Sequence, residues 1–116
     1  MTNSESKFRA WANKTYPKGF ITKLPDYKVG AKGMGGLPDY LVINKEQTIW
    51  YEVKMIRGQT LNYKNDFTDA QKIIFRKMYL AGANILIYCF TKKGPSVIQY
   101  ECLLSEGKFK FKGKNL

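Results

Sequence analysis

The stretch from residue 40 to residue 53 constrains the fold more than any other part of the chain. It reads YLVI, then NKEQ, then TIWYEV, so two β-branched and aromatic runs flank four polar residues. This pattern predicts a β-hairpin with strands at 40–43 and 48–53 and a turn at 44–47. A turn of that length pairs Tyr40 with Tyr51, and one residue further out it places Asp39 directly opposite Glu52.

Two opposed carboxylates at the end of an apolar hairpin call for an explanation. Directly opposed side chains have Cβ atoms about 4.5–5.5 Å apart, a distance at which like charges destabilise a sheet. A hard cation between Asp39 and Glu52 would remove that repulsion. Lys54 lies two residues beyond Glu52 and so leaves the strand on the same face, whereas positions 49, 51 and 53 face the core. We therefore expect two acids and an amine to converge on one point.

Neither short motif in this region is distinctive by itself. Glu-x-Lys occurs at residues 5–7, 52–54 and 106–108, and Leu-Pro-Asp-Tyr occurs at 24–27 and 37–40. Only the middle Glu-x-Lys lies on an apolar strand, and only the second Leu-Pro-Asp-Tyr opens one. Asp26, in the first copy, fits a turn after Pro25. The alternative for Glu52 and Lys54 is an exposed strand end with a weak ion pair.

The remaining patterns predict a small α/β domain that spans residues 1–116. Two amphipathic helices, two further strands and three irregular segments complete the chain. They are helices at 4–14 and 68–81, strands at 84–90 and 96–104, an extended and glycine-rich segment at 17–37, a polar loop at 57–66 and a tail at 105–116. The run at 84–90 is apolar throughout, so we expect a central strand covered on both faces, with Cys89 buried. The tail suits a short edge strand or a frayed terminus. Thr68 is the expected cap of the second helix, and its expected apolar stripe is Ala70, Ile73, Ile74 and Met78.

Charge and the lack of histidine narrow the chemistry. Twenty Lys and Arg residues face nine Asp and Glu residues, a net charge of +11, which favours a nucleic-acid partner over a merely solubilising surface. Without histidine, His-based zinc sites, Ser-His-Asp triads and histidine general bases are excluded. Catalysis would have to use carboxylates, lysines, tyrosines or a hard metal ion. No secretory segment and no apolar run of about 20 residues occurs, so we expect a cytoplasmic protein without a membrane partner.

Gly36-Leu37-Pro38-Asp39, Glu52-Val53-Lys54 and Gln71 on the following helix together resemble the PD-(D/E)XK nuclease superfamily. They are similar in particular to the VRR-NUC branch and to phage and archaeal Holliday junction resolvases. The resemblance covers residues 36–71, and most of the chain once the first helix is included. It implies a mixed β-sheet flanked by helices, with a restriction-endonuclease-like αβββαβ core. That core has one strand more than the patterns place before the second helix. The missing strand is either absent or supplied by the segment between the first helix and Gly36.

The resemblance also implies residue roles. The expected ligands of Mg²⁺, for which Mn²⁺ would substitute, are Asp39, Glu52, Glu5 and the main-chain carbonyl of Val53. Lys54 is expected to orient or deprotonate the attacking water and to stabilise charge on the phosphate, and Gln71 to hold that water or the outer shell of the metal. Alternatives remain open for two of these residues. Glu5 also suits the positive end of its helix, and Gln71 could be an ordinary surface residue.

The implied activity is Mg²⁺-dependent endonuclease cleavage of DNA, with Holliday junction resolution as the narrower expectation. Phosphate contacts are expected from Lys28, Lys32, Arg57, Lys64, Lys72 and Arg76. Branched DNA has symmetric nicking sites, so we expect a homodimer, with Phe109, Phe111 or the second helix at its interface. The alternative function is a non-catalytic, basic nucleic-acid-binding module. Such a module would gain nothing from two opposed acids near DNA.

Overall fold

The structure is a computed structural model that describes residues 3–25 and 35–111. Within these residues, helices and strands follow one another with short connections. In chain order they are α1 (Asn3–Thr15), β1 (Phe20–Lys23), β2 (Tyr40–Ile43), β3 (Thr48–Met55), β4 (Thr60–Asn62), α2 (Tyr63–Asp66), α3 (Asp69–Leu80), β5 (Ile85–Thr91), β6 (Gly94–Gln99), α4 (Tyr100–Glu106) and β7 (Lys108–Lys110). No helix in the described ranges has the length and apolarity needed to cross a membrane.

A five-stranded mixed sheet in the order β1-β2-β3-β5-β6 forms the centre of the fold. Strands β1, β2 and β3 are antiparallel neighbours, β3 and β5 are parallel, and β5 and β6 are antiparallel. Helix α3 lies in the crossover between the two parallel strands, as a parallel connection requires. Strands β4 and β7 form a separate two-stranded ladder. The predicted α/β domain, a mixed sheet flanked by helices, is confirmed.

The hairpin of β2 and β3 has the predicted register. Tyr40 pairs with Tyr51, so the next position outward places Asp39 opposite Glu52. The side chain of Asn44 closes the turn, because its Oδ1 accepts two main-chain N–H groups at 2.9 and 3.0 Å. Such local hydrogen bonding is typical of Asn at the start of a turn, and it fixes the loop length on which the register depends.

Strand β1 is the strand that the sequence patterns could not place. It comes from the segment between the first helix and Gly36, and Phe20 pairs with Ile43 at one end while Lys23 pairs with Tyr40 at the other. The order αβββαβ is therefore complete. This edge strand is only four residues long and has no fully buried position, so it shows little of the alternation that marks a half-buried strand.

Two segments differ from their predicted structures. The predicted loop at 57–66 contains β4 and α2, and the predicted strand at 96–104 ends at Gln99, after which the chain becomes α4. Tyr100 and Leu103 are both buried, and their spacing of three is helical. A short apolar run such as this one does not distinguish a strand from a helix by its pattern, and the tertiary contacts decide it.

The apolar residues of the tail and of the second helix are buried differently from the prediction. Strand β7 is the short edge strand expected in the tail, where Phe111 is buried and Phe109 is partly buried against the same core, whereas Leu80 of α3 is 70% exposed. The dimer interface stays a prediction. On α3 the buried residue is Phe75, whereas Ile73 is 56% exposed and Ala70 is also exposed. The predicted stripe is therefore wrong at its N-terminal half. Met78 packs against the core as expected.

The core occupies both faces of the sheet. Phe8 and Ala12 of α1 pack on one face, and Phe75 of α3 packs on the other. Strand β5 contributes to both layers, because Ile87 faces α3 while Tyr88 faces α1. This confirms the prediction of a central strand covered on both sides, and Cys89 is fully buried within it. The layers hold β3 and β5 rigidly at the end of the sheet where the acidic residues lie.

Candidate active site

Asp39 and Glu52, hereafter the carboxylate pair, lie where the start of β2 meets the second half of β3. Oδ2 of Asp39 accepts the N–H of Val53 at 2.9 Å. The main-chain carbonyl of Asp39 accepts the N–H of Leu24, just beyond β1, at 2.8 Å. Asp39 is thus fixed between its two neighbouring strands, and the structure brings together the two acids that the hairpin register predicted.

Glu52 is almost completely buried, with 3% of its surface exposed. Its Oε2 accepts a hydrogen bond from Nε2 of Gln71 at 2.8 Å and lies 3.2 Å from Nζ of Lys54. Its Oε1 is also buried, and no donor from the described residues reaches it. An ionised, buried carboxylate oxygen without a donor is unfavourable, so Glu52 needs either a proton, which it can share with Asp39, or a cation beside this atom.

The environment raises the pKa of both members of the carboxylate pair. Burial, followed by the charge of Asp39, raises the pKa of Glu52 to about 8, although Lys54 acts in the opposite direction. Burial also raises the pKa of Asp39, opposed first by the N–H of Val53 and then by the charge of Lys23. A hydrogen bond between the two carboxyl groups raises the pKa of Glu52 and lowers that of Asp39. In the absence of a cation, the pair therefore keeps a proton on Glu52 at neutral pH.

Lys54 is held from three directions. Its Nζ lies 3.2 Å from Oε2 of Glu52 and 3.3 Å from Oε1 of Gln71, and 4.4 Å from the ring centroid of Phe67. Phe67 is buried under the amine, where a cation–π contact is worth about 0.5–2 kcal/mol. Sequence reasoning missed Phe67. The available signal was its place immediately before the helix cap, where an apolar residue commonly packs inward.

Gln71 belongs to the helix cap and to the site at the same time. In the first turn of α3, its N–H donates to Oγ1 of Thr68 at 3.1 Å, and its Oε1 accepts the N–H of Thr68 at 2.9 Å. This reciprocal capping box fixes the orientation of the amide. Because Oε1 also accepts from Lys54, the amide nitrogen is left to face Glu52. A single side chain thus links the helix start to the carboxylate pair.

Gly36 brings the loop before β2 into direct contact with α3. Its φ is +92°, and a Cβ at this position would lie 2.6 Å from the carbonyl oxygen of Ala70. Both facts require glycine, the first because L-residues rarely adopt this conformation and the second because no side chain fits. The close approach explains why a glycine precedes Pro38 and Asp39. It locks the segment that carries Asp39 onto the helix turn that carries Gln71.

Glu5 lies at the edge of this arrangement with partners of its own. Its Oε1 accepts hydrogen bonds from Nζ of Lys23 and from the hydroxyl of Tyr40, the latter at 3.1 Å. The negative charge of Glu5 raises the pKa of Asp39, as expected of two acidic groups that lie near each other. Nevertheless, residues 3–25 and 35–111 contain no group of three or more His, Cys, Asp or Glu side chains that could hold a metal ion. The assignment of Glu5 as a ligand therefore stays a prediction, and Lys23 and Tyr40 are neighbours that sequence reasoning missed.

Comparison with known proteins identifies the architecture. No family model matches the sequence, and no curated protein matches it. Among solved structures, the Holliday junction resolvase Hjc of the archaeal hyperthermophile Archaeoglobus fulgidus matches with a TM-score of 0.61 at 12% identity, over 84% of this chain and 77% of that one. The chain has a resolvase-like fold. The predicted αβββαβ core is confirmed at this level, and membership of the VRR-NUC branch stays a prediction.

The predicted phosphate contacts are scattered around this resolvase-like fold. Lys28 and Lys32 lie outside the described residues. The side chains of Arg57, Lys64 and Arg76 are exposed. Lys72, by contrast, is partly engaged: its Nζ donates to the carbonyl of Lys64 at 2.9 Å and lies 3.4 Å from Asp69. Arg57 follows the end of β3, three residues after Lys54, and lines an open cavity of about 350 Å³ with Thr60 and Asp66.

The oxygen atoms of the site suit a hard divalent cation. Oε1 of Glu52 is buried without a donor, and Asp39 is its acidic neighbour. The N–H of Val53 points to Asp39, and in a strand the C=O of the same residue points to the same side. Two carboxylates, one carbonyl and water oxygens form a donor set that Mg²⁺ and Mn²⁺ accept. The residues present therefore fit the predicted metal.

Proposed function

We propose that this chain is a metal-dependent endonuclease that hydrolyses phosphodiester bonds in DNA and that branched DNA, such as a Holliday junction, is its substrate. The observation that carries the proposal is the donor-free Oε1 of Glu52, buried against Asp39 and beside a fixed lysine. A purely structural domain is destabilised by such a pair, whereas a metal site requires it. The resolvase-like fold supports DNA as the substrate.

Mg²⁺ or Mn²⁺ would be held by Asp39, Glu52 and the carbonyl of Val53. When bound, such an ion lowers the pKa of a water molecule and offsets negative charge on the transferring phosphate. Gln71 occupies Oε2 of Glu52 and leaves Oε1 for the ion. A cation held by Glu52 would replace the proton on that residue, so its binding near neutral pH would release the proton to solvent.

Lys54 would act on the phosphate and the attacking water. An ammonium group has three N–H donors, and the carboxylate of Glu52 and the amide of Gln71 take two of them. The third remains for a phosphate oxygen or for the water. An amine fixed before the reaction stabilises developing negative charge without reorganisation, which is the main electrostatic contribution expected of such a group.

A non-catalytic nucleic-acid-binding module is the second candidate, and the net charge of +11 favours it equally. The two candidates differ in whether the carboxylate pair matters. A binding module would be unaffected or improved by removal of two negative charges near DNA. An endonuclease would lose its activity.

Cleavage of a labelled mobile four-way DNA junction, beside linear duplex of the same sequence, tests the proposal. Reactions run in Mg²⁺, in Mn²⁺ and in EDTA, with Lys54→Ala and the matched control Lys108→Ala from the exposed Glu-x-Lys triplet. We expect paired, symmetric nicks that need both metal and Lys54 and that survive Lys108→Ala. Cleavage of duplex alone would overturn the branched substrate, and binding without any metal-dependent cut would leave only the binding module.

Calorimetric titration of the protein with Mn²⁺ tests the metal site without reference to cleavage. Titrations at pH 7 in buffers of different ionisation enthalpy report the protons released. We expect about one proton per bound ion in the wild type, from the raised pKa of Glu52. Glu52→Gln should abolish both binding and release. Binding without proton release would contradict the assignment of the proton to the carboxylate pair.

A further inference from the structure

The turn between β5 and β6 lies at the same end of the sheet as the carboxylate pair. Strand β5 runs parallel to β3, and Lys54 pairs with Cys89, so the carboxyl ends of both strands point the same way. Thr91 then pairs with Gly94 across a two-residue turn. Lys92 and Lys93 form the tip of that turn, and both are exposed. Two cations therefore extend beyond the sheet on the side of the site.

The backbone of this turn is fixed from inside. Oγ1 of Thr91 accepts the N–H of Lys93 at 3.1 Å and donates to the carbonyl of Gly94 at 3.1 Å. Thr91 itself is buried, and Gly94 supplies the positive φ, +114°, that closes the turn. The two lysines thus project from a fixed base, which reduces the conformational entropy lost when they bind a ligand.

Among residues 3–25 and 35–111, no acidic side chain forms an ion pair with either lysine of the turn. Between Thr91 and Gly94 both residues are lysines, and Nζ of Lys7 lies 5.8 Å from the ring of Phe90, just before the turn. The β2–β3 turn at the opposite end of the sheet carries Lys45 beside Glu46, so its charges cancel. The two hairpin turns of the sheet therefore differ in charge, and the basic turn lies at the end of the sheet where the carboxylate pair lies.

The distance between the turn and the carboxylate pair indicates which phosphates of a DNA duplex the turn could contact. Glu52 pairs with Ile87, and Lys92 follows Ile87 by five residues. At about 3.3 Å per strand residue the distance along the sheet is roughly 16 Å. Phosphates of one DNA strand advance about 3.4 Å along the helix axis per nucleotide, so for a duplex arm whose axis runs along the strands this distance corresponds to roughly five base pairs.

We propose that the Lys92–Lys93 turn binds backbone phosphates of a duplex DNA arm about five base pairs from the bond that is cut. The position of the cut rests on the proposed endonuclease function, whereas the binding itself does not. The turn contributes affinity and register on the arm, without contact to the reacting phosphate.

Equilibrium binding to duplex DNA in EDTA, measured by fluorescence anisotropy between 50 and 200 mM salt, tests whether the Lys92–Lys93 turn binds phosphates. The double variant Lys92→Ala/Lys93→Ala is compared with Lys18→Ala/Lys45→Ala, which removes two exposed cations at the opposite end of the sheet. Two lost phosphate contacts reduce the slope of log K against log salt by about 1.8, so over this range the wild type loses about twelvefold more affinity than the first variant. The second variant should keep the wild-type slope. Equal changes of the slope in both variants, or no change of the slope in the first variant, would overturn phosphate binding by the Lys92–Lys93 turn.

A neutral-phosphate scan locates the contact. Single methylphosphonates are placed at successive positions along one arm, and affinity is measured for the wild type and for Lys92→Ala/Lys93→Ala. The wild type should lose affinity for a neutral phosphate at one position of the arm, about five base pairs from the bond that the wild type cuts in Mg²⁺, and the variant should show no such loss. A uniform profile for the wild type would overturn the assigned position. Because these measurements are made in EDTA, a protein that binds as expected but never cuts would contradict only the endonuclease function.

Discussion

Replacement of Glu52 by Gln should make the metal-free protein more stable, and increasingly so as the pH rises. Glutamine keeps the shape of the side chain and stands in for the protonated acid. In the wild type, the native state holds a proton on Glu52 that the unfolded chain releases above its ordinary pKa of 4.5. The free energy of unfolding therefore falls as the pH rises from about 4.5 towards about 8, where Glu52 ionises in the native state as well.

The size of the effect follows from the shift. Each pH unit in this interval removes about 1.4 kcal/mol of stability for one proton. From the ordinary pKa of 4.5 to pH 7 the loss attributable to Glu52 is about 3 kcal/mol. Asp39 contributes in the same direction, since its pKa is also raised. Glu52→Gln removes the contribution of Glu52, so the free energies of unfolding of the wild type and of Glu52→Gln should diverge by about 3 kcal/mol between pH 4.5 and pH 7.

Urea unfolding in EDTA at half-unit pH steps measures the divergence. The two tryptophans of the chain, Trp11 and Trp50, provide the fluorescence signal. Glu106→Gln, which alters an exposed acid of another Glu-x-Lys triplet, is the matched control and should follow the wild type. Parallel curves for the wild type and Glu52→Gln would refute the reasoning, because Glu52 would then titrate in the native state as it does in the unfolded chain.

Three further tests by chemical denaturation examine the residues that support the site. Gly36→Ala should destabilise the fold by more than about 2 kcal/mol, because its Cβ meets the backbone of α3, whereas Gly82→Ala, at a similar positive φ in open space, should cost only about 1 kcal/mol. Equal losses of stability for Gly36→Ala and Gly82→Ala would contradict a contribution from crowding against α3. A double-mutant cycle with Phe67→Leu and Lys54→Met should give a coupling energy of about 0.5–2 kcal/mol, and a value near zero would dismiss the cation–π contact. Thr68→Ala should cost about 1 kcal/mol through the lost helix cap, and no change in the urea midpoint would contradict that role.

The carboxylate pair could be predicted because it depends on short-range rules. Turn length and the alternation of apolar residues set the register of one hairpin, and that register alone places Asp39 opposite Glu52. The neighbours of the pair could not be predicted in the same way. Gln71 was expected near the site only through the resemblance, and Phe67 was not expected at all, because Gln71 reaches the site from α3 and Phe67 from the residue before the cap of that helix.

The sequence by itself determined the elements whose information is local. The hairpin, the caps of the helices, the two-sided apolar strand β5 and the excess of positive charge all follow from residues close together in the chain. Only the tertiary structure decided that residues 20–23 form an edge strand, that the chain turns helical at Tyr100, and that Gly36 lies against Ala70. These features arise from contacts between distant segments, whose energies leave no periodic trace in a single sequence. For the same reason, the order of strands along the sheet places the Lys92–Lys93 turn at the end of the sheet where the carboxylate pair lies, although about forty residues separate the turn from Glu52 in the chain.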